Sequence, residues 1–317
     1  MSNIYNRRQF LKLAASAGVA TLVVPTALSL ISAREDDEVR LTILSTNDVH
    51  SRIDPFPAND KRNAGMAGFA RRAAMVKEIR DQEENVLLFD AGDIFQGTPY
   101  FNMYGGELEF KLMSEMGYDA ATMGNHDFDN GLEGFKKQLP NANFPFVCSN
   151  YDFSNTILKG KTKPYHIIEK GELKIGIIGV GVEMDGLISK KNYGEANYLD
   201  PIKKANEYAE ILKKQECDYI ICISHLGYSY KQQNKRNKVS DIILAENSRN
   251  IDYIIGGHTH TFLEHPAEVI NLDDQKVLVS QAGWGGILLG RLDLVFSKAT
   301  KDKISFIYTP KKVRSQV

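Results

Sequence analysis

Histidine is scarce in this chain, and its placement is the first sign of chemistry. Of seven histidines in 317 residues, five (His50, His126, His225, His258 and His260) directly follow an apolar run or lie within two residues of its polar exit. The segments read LTILSTNDVH, VLLFDAGD, AATMGNHDF, IICISHLG and YIIGGHTH, each the pattern of a buried strand ending in Asp, Asn or His. A histidine serving only the core would sit inside such a run, whereas these sit past it among small and polar residues. Asp48 and His50 are two apart, as are His258 and His260, so on an extended backbone each pair shares a side and can close on one cation. Asp93 follows Gly92 on a tight exit, Asn125 offers a neutral oxygen, and His225 ends its own run. Two carboxylates, one amide and four imidazoles, without sulfur, suit borderline first-row divalent ions rather than calcium. Seven such ligands, one of them shared, fill two sites.

The elements that must position these residues follow from the alternation of short apolar runs with helical patterns, which favours an α/β layered fold. Strands are expected at 41–45, 86–89, 120–123, 144–148, 174–180, 219–223 and 253–255, and helices at 64–80, 108–116, 132–139, 202–214 and 239–246. PYHIIEKGELKIGIIGV has the pattern of a hairpin centred on Lys-Gly, and KVLVSQAG, GILLGRLDLVF and ISFIYTP that of a meander. Such pieces imply mixed sheets. About 280 residues beyond the N-terminal segment fit a four-layer α-β-β-α sandwich, two mixed β-sheets packed face to face and flanked by helices. Ligands bind where the carboxyl ends of parallel strands line one edge, so the five exits are expected to converge there.

Composition excludes several classes. With 39 Lys plus Arg against 40 Asp plus Glu and no basic block, the chain is not built to coat a nucleic acid polymer. Cys148, Cys217 and Cys222 form neither a disulfide framework nor a zinc spacing and read as packing residues. Only one apolar run approaches membrane-spanning length. It extends from Leu13 to Ala33 without a charge, preceded by Arg7, Arg8, Phe10, Leu11 and Lys12, which resembles a twin-arginine export signal. Residues 1–33 are therefore expected to be a signal peptide directing the chain to the periplasm, with inner-membrane anchoring as the outcome if it is not cleaved. Its removal leaves 36 cations against 40 acids.

Asp-x-His, Gly-Asp, Gly-Asn-His-Asp, His and Gly-His-x-His, in that order, resemble the signature of the calcineurin-like metallophosphoesterases. More closely, TNDVHSR, GDIFQGTPYFN, MGNHDFDNG, FPFVCSN and IIGGHTH resemble the catalytic domain of the 5′-nucleotidases and their 2′,3′-cyclic phosphodiesterase relatives, over essentially the whole chain after the signal. The resemblance implies one metal on Asp48, His50, Asp93 and His260, and a second on Asp93, Asn125, His225 and His258, with Asp93 bridging. It also implies a catalytic pair, His126 and Asp129. Two departures stand out: His260 occupies a position that is Gln in many 5′-nucleotidases, and Asp127 replaces the usual Glu of NHEFD.

The implied reaction is hydrolysis of a small phosphate ester, a nucleotide foremost. Two divalent ions (zinc, manganese or iron) would hold phosphoryl oxygens while a hydroxide bridging them attacks phosphorus in line. His126 would sit near the leaving oxygen and Asp129 would orient it. Phosphodiesterase activity is the alternative, as is a subunit that stays inactive without a partner. Residues 34–317 are expected to be the catalytic domain alone, without the family's C-terminal nucleotide-binding domain, so a separate polypeptide could supply that clamp.

Overall fold

The computed structural model describes residues 37–230 and 238–314. The expected signal peptide, residues 1–33, and positions 34–36 after it lie outside the described residues. The elements, in chain order, are β1 (Glu38–Thr46), α1 (Phe69–Gln82), β2 (Val86–Asp90), α2 (Pro99–Tyr104), α3 (Glu107–Met116), β3 (Ala120–Ala121), a 3-10 turn at His126–Phe128, α4 (Gly131–Gln138), a second such turn at Leu139–Asn141 and β4 (Tyr151–Asp152). They continue with β5 (Tyr165–Lys170), β6 (Leu173–Gly181), α5 (Lys190–Tyr193), β7 (Asn197–Tyr198), α6 (Pro201–Lys214), β8 (Tyr219–His225) and α7 (Asp241–Glu246). The last are β9 (Tyr253–Gly256), β10 (Ala267–Ile270), β11 (Lys276–Gln281), β12 (Leu288–Ser297), β13 (Lys303–Tyr308) and β14 (Lys311–Lys312).

Two six-stranded sheets result. One has the order β13-β12-β1-β2-β3 with β14 added on β12, the other β10-β11-β9-β8-β6-β5. In the first, β1, β2 and β3 are parallel while β12 and β13 pair antiparallel. In the second, β6, β8, β9 and β11 are parallel, flanked by antiparallel β5 and β10. Both sheets are therefore mixed, as expected.

Side-chain alternation stacks them. Leu41, Ile43, Leu87 and Phe89 of the first sheet pack against Ile175, Ile177, Ile221, Ile223 and Ile255 of the second in one buried cluster. The intervening residues Leu44, Val86 and Leu88 turn the other way, towards Phe69 and Val76 of α1 and Phe110 and Met113 of α3. On the far side, Ile178, Val180, Ile220, Cys222 and Ile254 meet Ala205, Ala209 and Leu212 of α6 and Leu244 and Ala245 of α7. Period-two alternation with both faces apolar is what a strand buried between two layers requires. Each fully buried aliphatic side chain contributes about 1.5–3 kcal/mol. The outer helices are capped in ordinary ways: Asp200 accepts from the Lys203 amide at 3.0 Å before Pro201, and Ser240 from Ile243 at 3.4 Å.

Several boundaries differ from expectation for identifiable reasons. Residues 144–148 form no regular strand. Val147 N donates to Ala121 O, Cys148 N to Lys163 O and Ser149 N to Gly179 O, so the segment threads between elements of both sheets. The expected strand at 120–123 shrinks to Ala120–Ala121. The helix expected from Ala64 starts at Phe69, because Gly65, Ala67 and Gly68 hold positive φ (68°, 63° and 101°). The hairpin forms, but its two-residue loop is Gly171-Glu172. The expected meander forms only in its last part: β12 and β13 pair antiparallel, but β11 belongs to the second sheet, so the chain crosses between sheets at 282–287. The three cysteines are free and buried, as expected.

Candidate functional site

Parallel pairing brings the strand exits level. β1, β2 and β3 of one sheet and β8 and β9 of the other end at a common edge, and Asp48 and His50, Asp93, Asn125, His225, and His258 and His260 lie at those ends. Their donor atoms form two groups, Asp48 with His50 and His260, and Asp93 with His225 and His258, each closed within 4.8 Å. In the first, His260 Nε2 lies 3.3 Å from Asp48 Oδ1 and 3.1 Å from His50 Nε2. In the second, His225 Nε2 lies 3.2 Å from Asp93 Oδ2. Asn125 Oδ1 adjoins it, 2.8 Å from His258 Nδ1. The groups touch: Asp93 Oδ2 is 3.9 Å from His50 Nε2, and Asp48 Oδ1 is 4.0 Å from His225 Nε2. All seven residues singled out in the sequence thus meet.

They do so on a different backbone from the one the spacing implied. Asp48, His50, Asp93, His258 and His260 have φ of 48°, 51°, 55°, 71° and 52°, in the left-handed region rather than extended. Such a conformation costs roughly 1–2 kcal/mol for a residue with a Cβ, so surrounding bonds must hold it. Asp48 N donates to Gly92 O at 2.9 Å and His50 N to Asp93 O at 3.0 Å, tying the first two exits together. The wholly buried Asp127 carboxyl accepts four amides, from Asp93 (3.0 Å), Ile94 (3.0 Å), Phe95 (3.1 Å) and Gly124 (2.8 Å). Two glycines let the exits approach: a Cβ at Gly92 would lie 2.5 Å from Gly124 N, and one at Gly124 would overlap Asp93 Oδ1 and sit 2.7 Å from His225 Cε1.

The electrostatics suit a cation. His225 is fully buried, and its Nδ1 donates to Ala91 O at 2.6 Å, which turns Nε2 towards Asp93. That Nε2 has no hydrogen-bond partner. Burial opposes charge on His225, yet the Asp93 and Asp48 carboxylates more than offset it and carry its pKa up to about 10. The site therefore demands a positive charge at that point, which a divalent ion would supply in place of the proton. Burial and the neighbouring His225 push His258 down to about 3, and burial likewise lowers His50, keeping both imidazoles neutral as ligands must be. Asp93 is held below the ordinary carboxylate range: burial opposes its charge, but His225, His50 and His126 outweigh it. Neutral imidazoles, ionised carboxylates and an orphaned buried nitrogen fit transition ions.

His126 and Asp129 pair beside this centre. His126 Nδ1 lies 2.9 Å from Asp129 Oδ2, that hydrogen bond raises the histidine pKa, and both side chains are about a third exposed (36% and 34%). The His126 ring is 5.3 Å from that of His50, and its amide donates to Asp93 Oδ1 at 2.7 Å. The pair thus faces the open side of the centre.

Sequence reasoning overlooked two supports, Asn47 and Gln281. Asn47 donates to Asp48 Oδ2 and to Gly283 O, both at 2.6 Å, and accepts from Ala282 N. Gln281 accepts from Thr261 N and donates to Gly257 O at 2.6 Å, bracing the turn that carries His258 and His260. Both are amides at strand exits, the signal that exposed Asn125. Arg52 packs over Phe56 at 4.2 Å, and Trp284 stacks on His260 with ring centres 5.8 Å apart.

Comparison with known proteins agrees with this geometry. A family model described as calcineurin-like phosphoesterase matches residues 41–262. Snake venom 5′-nucleotidase of Crotalus adamanteus is 35% identical over 277 residues, covering 81% of this chain and 45% of that protein. Among solved structures, a 5′-nucleotidase precursor from Thermus thermophilus superposes with TM-score 0.77 at 30% identity, over 87% of this chain and 55% of the other. The calcineurin-like phosphoesterase YfkN from Bacillus subtilis does so with TM-score 0.70 at 26% identity, over 87% and 91%. The chain spans about half the length of the 5′-nucleotidases it matches.

Proposed function

The chain belongs to the calcineurin-like phosphoesterase family, and from that premise we propose that it hydrolyses phosphate monoesters, 5′-nucleotides foremost, at a centre for two divalent ions. The observation that carries this reading is the pair of adjoining donor groups joined across Asp93 and Asp48. Asp48, His50, Asp93 and His260 would hold one ion, and Asp93, Asn125, His225 and His258 the other, with Asp93 shared. Bound there, divalent ions would polarise the phosphoryl oxygens and supply an activated water nucleophile.

The chain's own groups do the rest. With the two aspartates ionised, a filled centre keeps a formal surplus of positive charge, which draws a phosphate dianion to the exposed edge. His126 faces that edge beside Asn125 and can donate a proton to the leaving alkoxide. Asp129 fixes which ring nitrogen of His126 carries the inner hydrogen, leaving Nε2 for the substrate. Replacing His126 by Ala should cut turnover by roughly 10² to 10⁴ while leaving ion content intact. Equal loss of ions would assign His126 to coordination instead. Assays should include an aryl diester beside nucleoside monophosphates, since diester-only turnover would move the substrate class to the cyclic phosphodiesterase relatives.

The names of the full-length relatives support nucleotides as substrates, and the motif around Arg7 and Arg8 supports export to the periplasm. Residues 34–317 would then act as the catalytic domain.

A further inference from the structure

The candidate ligands are not all oriented by the same means. Among the imidazoles whose Nε2 faces the centre, His225 is held at Nδ1 by Ala91 O at 2.6 Å and His50 by Phe95 O at 3.3 Å. Such partners fix the ring plane of a metal-binding histidine and add to its basicity. His260 is held differently. It is the most exposed of the group, with 41% of its side chain open, and its ring lies nearly parallel to the Trp284 indole, at 16° with centres 5.8 Å apart.

Trp284 is in turn seated. Its ring meets Phe56 edge-on at 5.4 Å and 80°, and Arg52 covers Phe56 at 4.2 Å. Its backbone belongs to the crossing between the sheets, where Gly285 N donates to Asp48 O at 2.7 Å, Gly283 N to Thr261 O at 3.0 Å and Asn47 Nδ2 to Gly283 O at 2.6 Å. The crossing is thus tied both to the turn carrying Asp48 and to the one carrying His260. An imidazole that gives its lone pair to a cation gains positive character, and an indole face is the side chain best able to stabilise it.

We infer that Trp284 is a positioning residue for the ion held by Asp48, His50 and His260, orienting His260 by stacking where its companions use backbone carbonyls. The inference rests on the two-ion reading above and adds that the two sites differ in what supports them. The second group, with Asp93, His225 and His258, has no aromatic wall of this kind among the described residues. Loss of Trp284 should therefore weaken one site and spare the other. Trp284 is also the only tryptophan of the chain, so its fluorescence reports ions entering the centre beside it.

The test uses the full chain, stripped with a chelator and titrated with cobalt(II), followed by indole fluorescence, visible cobalt absorption and bound cobalt per chain. The wild type should bind two equivalents, with the indole emission quenched as the centre fills. His260→Ala should weaken one of the two equivalents and spare the other. Trp284→Ala should weaken one equivalent roughly tenfold and leave the other unchanged, whereas Trp284→Phe, which keeps a stacking face, should restore most of the loss. If two equivalents bind and Trp284→Ala leaves both affinities unchanged, or lowers both together with the melting temperature, the positioning role is overturned while the two-ion reading stands. A wild-type chain that binds no cobalt overturns both.

Discussion

Asp127 offers the sharpest check on how the centre is held. Its carboxyl is wholly buried and accepts the amides of Asp93, Ile94, Phe95 and Gly124 at 2.8–3.1 Å, so one side chain satisfies the backbone of two ligand-bearing turns. Asp127→Ala would strand four buried N–H groups, each costing about 1–3 kcal/mol when left without a partner. Allowing water to recover some of them, a loss of about 4 kcal/mol is expected. Against a total stability of about 5–15 kcal/mol this is a large fraction, and it lowers Tm by roughly 10 °C in a domain of this size. Asp127→Asn keeps one oxygen but turns an NH₂ towards the remaining amides, so about half the loss should persist. The assay is thermal unfolding by circular dichroism on ion-saturated protein, with bound ion measured alongside. Ion content should fall in step, because the strained turn at Asp93 loses its anchor. An Asp127→Ala chain melting within about 2 °C of wild type with full ion content would refute the argument.

Two further outcomes follow from particular contacts. Gly124→Ala places a Cβ against Asp93 Oδ1 and His225 Cε1 and should lose the ion of the second group far more than that of the first, as read by isothermal titration with manganese or zinc. Asp241 is buried beside Ser224, and burial pushes its pKa up to about 7. A carboxyl raised in the folded state keeps a proton that the unfolded chain has released. Its stabilising contribution is therefore full below about pH 4 and lost as pH rises through about 7. Asp241→Asn should flatten that decline by an amount on the order of a few kcal/mol, and urea midpoints at about pH 4 and pH 8 that shift equally in mutant and wild type would contradict it.

The strand exits were legible because two constraints coincide there. A buried strand must be apolar, and a ligand must be polar, so the boundary between LTILST and Asp48, or between YIIGG and His258, is abrupt in the sequence. The layering was legible for the same reason, since β6, β8 and β9 are apolar on both faces. Other features had no such signature. Residues 144–148 are as apolar as a strand, but their amides go to partners in different elements, which only tertiary placement decides. The crossing of 282–287 between sheets likewise depends on β11 pairing with β9 and β12 with β1. The Asp-x-His and His-x-His spacings implied the right neighbours by the wrong backbone, because left-handed φ at these ligand positions is imposed by bonds from Asn47, Gln281 and Asp127 rather than by local preference.

Asp48 and Asp93 issue from one sheet, and His225 and His258 from the other. Cations shared between them would rivet two slabs whose adhesion elsewhere is mostly apolar. The lifetime of the folded molecule then becomes partly a matter of supply: in surroundings starved of transition ions the sandwich would loosen first at its open edge.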